Sequence, residues 1–141
     1  MNIPAMQQLI RVLKAVPPEH FQMASVATLG KAVQGPVTLK DLHTCGSAAC
    51  VIGYAAVDPW FQERGLELCY YGGIHSGVDE CVAAGILGIS DDEIDLIFVA
   101  RHRLTHDRDM THLKPQDMIE VVEAMIADHL AGRPLCDARE P

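Results

Sequence analysis

Between His43 and Val57 the chain reads H-T-C-G-S-A-A-C-V-I-G-Y-A-A-V, with no Asp, Glu, Lys or Arg. A stretch this apolar and this rich in small side chains must be surrounded by the rest of the protein. It therefore sets the centre around which everything else packs. The pattern predicts a helix from about Ser47 to Val57, closed by Asp58-Pro59. On that helix Gly46, Cys50, Gly53 and Val57 share one narrow stripe with Ala49 beside it, which would let another helix approach closely. A glycine inside a helix costs ~1 kcal/mol relative to alanine, so Gly53 points to a packing reason.

Apolar residues make up 49% of the 141 residues but aromatics only 5%, so the core must be largely aliphatic. The length suits one domain. Ile3, Met6, Leu9, Ile10 and Leu13 recur at helical spacing over residues 3–15, and Pro17-Pro18 ends that helix. Phe21, Met23 and Val26 are anchors for a loop or short helix. Gly35-Pro36 marks a turn, and Val37-Thr38-Leu39 reads as a brief extended piece. Leu66 to Tyr71 alternates and is β-prone, but Gly72-Gly73 ends it, and one short strand cannot make a sheet. Residues 78–87 form a helix stopping at Gly88. Ser90, with Glu93 three residues on, caps the next helix, which carries Ile94, Leu96, Ile97 and Val99. His102 to His112 is polar and reads as a loop. Pro115 opens a final helix whose stripe runs through Met118, Val121, Val122, Met125, Ile126 and Leu130 to Gly132. The expected fold is mainly α: a compact single-domain bundle of about five helices with at most a small β-hairpin. It spans residues 1–132, followed by a C-terminal tail, 133–141.

Charge and cysteine usage narrow the function classes. No run of ~18 apolar residues marks a membrane span. The opening MNIPAMQQLIRVLKAV is amphipathic rather than a leader with a cleavage site. Five cysteines, an odd number without paired spacing, are not a disulfide framework, and a cytoplasmic protein with free thiols is expected. Residues 1–40 carry Arg11, Lys14, Lys31 and Lys40 against Glu19 alone, a balance of +3. With a total of −8, the remainder carries −11. From Asp79 to Asp95 there are six carboxylates and no Lys or Arg. That balance opposes nucleic-acid binding, which relies on neutralising phosphates, and suits a basic protein partner.

Three segments carry residue types that could do chemistry. Cys45 stands where a helix dipole would lower a thiol pKa, and Cys45-Gly46-Ser47 matches the start of the papain-type nucleophile motif. The match lapses at Ala48-Ala49-Cys50. The base of such a cysteine hydrolase would be His75, His102, His106 or His112. Metal ligation at His43 and Cys45 lacks a matching pair nearby, and Cys45 and Cys50 would point ~140° apart on a helix. Ala83 to Ile94 imitates a DNA-reading helix-turn-helix. Its second helix would present Asp91, Asp92, Glu93 and Asp95 to the phosphates, which would repel it. In the segment from Arg101 to His112, His102 and His106 have i,i+4 spacing, and His112, Asp107 and Asp109 lie close in sequence, a possible divalent-ion set. Arg101, Arg103 and Arg108 crowd the same segment and disfavour a cation. Partner contacts are the favoured role there.

The string over residues 43–55 resembles the signature C-G-[ST]-x-A-C-x-x-G-[WY]-A of a family of small uncharacterised bacterial and phage proteins. Pro18-Glu19-His20-Phe21-Gln22-Met23, Leu87-Gly88-Ile89-Ser90 and the late helix opened by Pro115 are similar to that group as well. The likeness covers residues 5–130, with Tyr54 where tryptophan is usual, and it implies a fold rather than an activity. Together these features describe a non-catalytic accessory protein that needs no cofactor or metal. It would bind another macromolecule, such as a host or defence protein, through Asp91, Asp92, Glu93, Asp95, Arg101, Arg103 and Arg108.

Overall fold

The computed structural model describes residues 1–30, 37–44, 47–70 and 75–135. Among them seven α-helices and four short strands follow one another: α1 Ile3–Lys14, β1 Ala27–Thr28, α2 Leu39–Leu42, β2 Ala48–Ala49, α3 Val51–Ala56, α4 Pro59–Gln62, β3 Cys69–Tyr70, β4 His75–Gly77, α5 Glu80–Leu87, α6 Asp95–Phe98 and α7 Pro115–Leu130. Pro18–His20 and Met110–His112 form 3-10 turns. The fold is mainly α, as expected.

The long helices begin and end where local chemistry dictates. The side chain of Asn2 accepts from the Ala5 amide to cap α1, while its own backbone N–H and side-chain amide donate to the Leu87 and Ile86 carbonyls. One residue thus serves the start of α1 and the end of α5. Gly88 follows α5 in the left-handed conformation at φ +65°, and a Cβ there would come within 2.6 Å of the Asn2 nitrogen. Pro115 opens α7, whose first turn is secured by the Lys114 amide donating to Asp117.

α1 and α7 pack against each other. α3 touches α1 and α6, and α6 in turn touches α7. Met6, Leu9, Leu13, Ile52, Ile97, Met118, Val122 and Met125 are all essentially removed from water. The expected central segment is indeed enclosed, since every residue of α3 is buried.

Its secondary structure, however, corrects the expectation of a continuous helix from Ser47. Ala48 and Ala49 are extended and pair with Thr28 and Ala27, Cys50 is the N-cap, and helix begins only at Val51. The stripe drawn through Gly46, Cys50, Gly53 and Val57 therefore does not lie on one helix. The neighbour at Gly53 is not a helix either. It is the backbone of Val26, whose carbonyl accepts from the Cys50 amide. Ala27 and Ala49, opposite each other in this pairing, are small and both buried, while Thr28 and Ala48 are part-exposed.

The antiparallel sheet has the order β2-β1-β4-β3 and adds β1 and β2 to the hairpin made by β3 and β4. Val37 to Leu39 is not a strand. Thr38 caps α2 through a reciprocal pair of bonds with Asp41, and Leu39 is already helical. The start of the expected tail is held down: Arg133 bonds to Asp128, and Leu135 packs against the core. Residues 136–141 lie outside the described residues.

Candidate functional site

Three carboxylates separated in sequence, Asp79, Glu80 and Asp91, come close around Cys81 where the first turn of α5 meets the turn before α6. Asp79 caps α5, accepting from the amides of Cys81 and Val82 at 2.9 and 3.4 Å. Glu80, Cys81, Asp91 and Asp92 are exposed beside it. The Cys81 thiol is pushed above its usual range, first by the charge of Asp91, with Asp79 and Glu80 adding to it. The two segments therefore face each other. Glu93 is engaged in the expected capping box: its carboxylate accepts from the Ser90 amide, and the Ser90 hydroxyl accepts from its amide. Asp95 pairs with Arg101 at 3.3 Å. The second helix of the apparent helix-turn-helix amounts to one turn, α6, with Leu96 and Ile97 buried, so it presents no reading face.

The three candidate arginines serve the fold. Arg101 reaches Asp95, Arg103 reaches Asp128 on α7 at 2.7 Å, and Arg108 forms a forked pair with Asp117 at 2.8 and 3.3 Å. Asp128, only 3% exposed, holds Arg133 as well. This polar segment is a succession of turns, as expected of a loop, and is fastened along α7. His106 and His112 are exposed, but His102 is only 1% exposed, and its carbonyl accepts from the buried Thr105 hydroxyl. The Leu104 amide points at Nδ1 of His102, and an Arg103 nitrogen lies 3.3 Å from Nε2. Burial first, then the charge of Arg103, lowers the His102 pKa to about 4, so the ring is neutral. His106 faces the Arg103 carbonyl, and His112 stands 3.8 Å from Asp109. Among the described residues no three His, Cys, Asp or Glu side chains are grouped to hold a metal ion.

The cysteine-glycine stretch is covered in part, since Cys45 and Gly46 lie outside the described residues. Cys50 is sealed, and burial pushes its thiol up against the opposing pull of backbone amides of α3. Ser47 is also buried. Its hydroxyl accepts from the Gly30 amide, and its carbonyl accepts from Nδ1 of His20 at 2.8 Å. The Tyr54 hydroxyl donates to the His20 carbonyl at 2.6 Å, and burial together with Glu19 raises its pKa. The His43 ring completes the group, 5.9 Å from His20 and 6.2 Å from Tyr54 between ring centres. Beside it opens a cleft of about 90 Å³, lined by Val12, Val16, Leu39, His43, Tyr54 and Asp58.

His20 is not among the histidines expected to partner this stretch, which are His75, His102, His106 and His112. Its only signal was position, just ahead of the buried Phe21. Nothing local marks two histidines 23 positions apart as neighbours, because the β2–β1 pairing and the Phe21–Ala49 bridge bring them together.

No protein-family model, no curated protein and no solved structure matches this chain. No described helix is long and apolar enough to cross a membrane.

Proposed function

We propose that the chain is a non-catalytic binding protein of bacterial or phage origin. On this reading it works in the cytoplasm by engaging a basic surface of a host or defence protein through the acidic face around Asp91. The observation that carries this reading is the convergence of Asp79, Glu80 and Asp91 on the exposed Cys81. None of these carboxylates, nor Asp92, has a Lys or Arg within ion-pair distance among the described residues. Glu93 caps the turn that carries Asp91 and Asp92, whereas Asp95, Arg101, Arg103 and Arg108 are engaged in ion pairs within the fold. A concentrated negative field speeds the encounter with a basic partner and weakens with salt. The resemblance over residues 43–55 supplies the suggested origin.

The test compares proteins retained from bacterial lysate by the immobilised wild type with those retained by a Glu80→Gln, Asp91→Asn, Asp92→Asn triple variant. A basic protein held by the wild type, lost from the variant and eluted by salt is the expected result. Identical retention by both would refute the reading.

A further inference from the structure

Where the last turn of α1 meets the first turn of α7, an open groove of about 260 Å³ runs between them. Leu13, Val16, Pro115 and Ile119 line it with apolar surface that continues into the core. Its two charged lining residues are both cations, Lys14 from α1 and Lys114 from the residue before α7, and both are exposed. Neither has a carboxylate within ion-pair distance among the described residues. Asp117 is close in sequence to Lys114, but its carboxylate is engaged by Arg108 and by the Lys114 amide. Glu19 and Glu120 adjoin lining residues without lining the groove themselves. α1 carries Arg11 and Lys14 and no Asp or Glu, so the groove is a basic corner in a chain of net charge −8.

We propose that this groove docks a short acidic peptide segment of a partner protein, with an apolar side chain over Leu13, Val16 and Ile119 and flanking carboxylates on Lys14 and Lys114. Burial of the apolar side chain supplies affinity, and the two lysines supply the preference for negative charge. The volume lies just under the ~300–1,000 Å³ of ordinary small-molecule pockets, room for roughly one or two side chains. A second copy of this chain is the poorer fit. Its stretch from Asp79 to Asp95 has the charge, but the exposed large hydrophobic residues are Leu39, Leu104 and Leu130, all outside that stretch. The groove takes a partner of the opposite sign from the one assigned to the acidic face, so it stands apart from that reading.

The test is fluorescence anisotropy at low salt with a labelled Asp-Asp-Leu-Leu-Asp-Asp peptide. Asp-Asp-Ser-Ser-Asp-Asp and Lys-Lys-Leu-Leu-Lys-Lys peptides serve as controls. The proteins are the wild type, a Lys14→Gln, Lys114→Gln double variant, and the Glu80→Gln, Asp91→Asn, Asp92→Asn variant. Both lysines are exposed, so the double variant should keep the fold, as circular dichroism checks. Saturable binding of the first peptide is expected, weakening with salt and falling about three- to tenfold in the lysine variant. The acidic-face variant should bind it as the wild type does, and both control peptides should bind more weakly. No saturable binding, equal binding of either control, a folded lysine variant as tight as the wild type, or a matching loss in the acidic-face variant overturns the proposal. So does sedimentation showing wild-type self-association that the lysine variant abolishes, which would give the groove to a second copy.

Discussion

Replacing Gly53 by alanine tests the packing of the central helix directly. A Cβ built there would stand 2.1 Å from the Val26 carbonyl oxygen, 3.1 Å from its carbon and 2.9 Å from the Ala49 Cβ. Two of those three atoms are backbone, so no side chain can rotate away. Either α3 or the segment leading into β1 must retreat by about 1 Å to restore ordinary contact. Overpacking of this kind costs about 1–3 kcal/mol. The same retreat stretches the bond from the Cys50 amide to the Val26 carbonyl, now 3.1 Å, and leaving that pair unmade inside costs about 1–3 kcal/mol. Against this stands the helical gain of ~1 kcal/mol on exchanging glycine for alanine. The net expectation is a loss of about 2–4 kcal/mol, or a fall in Tm on the order of 6–15 °C. Gly85 provides the control. It lies inside α5, is exposed, and has nothing within 4 Å of its would-be Cβ, so Gly85→Ala should gain about 0.5–1 kcal/mol from propensity alone. Urea denaturation followed by far-UV circular dichroism measures both. A Gly53→Ala protein as stable as the wild type would refute the close approach of Val26 to α3.

His102 makes stability depend on acid. Its folded pKa of about 4 lies below the unfolded 6.5, so the unfolded chain gains a proton first, and stability drains as pH falls from about 6.5 to about 4 by up to roughly 3 kcal/mol. His102→Asn keeps an acceptor for the Leu104 amide and should flatten that part of a urea-midpoint against pH curve; an unchanged slope would exonerate His102. Asp128, held low by Arg103 and Arg133, contributes its own loss only below the ordinary carboxylate range. Tyr54→Phe removes the 2.6 Å bond to the His20 carbonyl and should cost about 1 kcal/mol in the same denaturation assay. Iodoacetamide at neutral pH should leave Cys50 untouched and modify Cys81 slowly for an exposed thiol. Asp91→Asn should speed Cys81 several-fold by freeing its thiolate, as peptide mass mapping would show. No change at Cys81 would mean that the two segments do not face each other.

What the sequence disclosed was whatever is decided within a few residues. The stop at Gly88, the Ser90–Glu93 box, Pro115 at the head of α7 and the apolar stripes of α1 and α7 each follow from neighbours three or four positions apart. Strand β2 was hidden because Ala48-Ala49 satisfies a helical pattern as readily as an extended one. The choice is made by Ala27 and Thr28, some twenty residues upstream, which offer a ladder. His102 misled for the same reason. Nothing in Arg101-His102-Arg103 distinguishes a buried ring from an exposed one until Asp128 on α7 draws Arg103 across it.

The same pairings decide which carboxylates of a chain with net charge −8 are neutralised within the fold. Arg101, Arg103, Arg108 and Arg133 are turned toward Asp95, Asp117 and Asp128, so four of the eleven basic side chains neutralise carboxylates along α6 and α7. Arg11 and Lys14 stand on the last turn of α1, where they also complement the negative end of that helix. The stretch from Asp79 to Asp95 contributes no cation of its own, and Arg101 reaches only its far end. Asp79, Glu80, Asp91 and Asp92 are therefore among the carboxylates without a Lys or Arg ion pair among the described residues, as are Glu63, Glu67, Asp107, Glu120 and Glu123 elsewhere on the surface. The ion pairs that fasten the polar segment to α7 thus occupy Arg101, Arg103, Arg108 and Arg133, so none of these four pairs with Asp79, Glu80, Asp91 or Asp92.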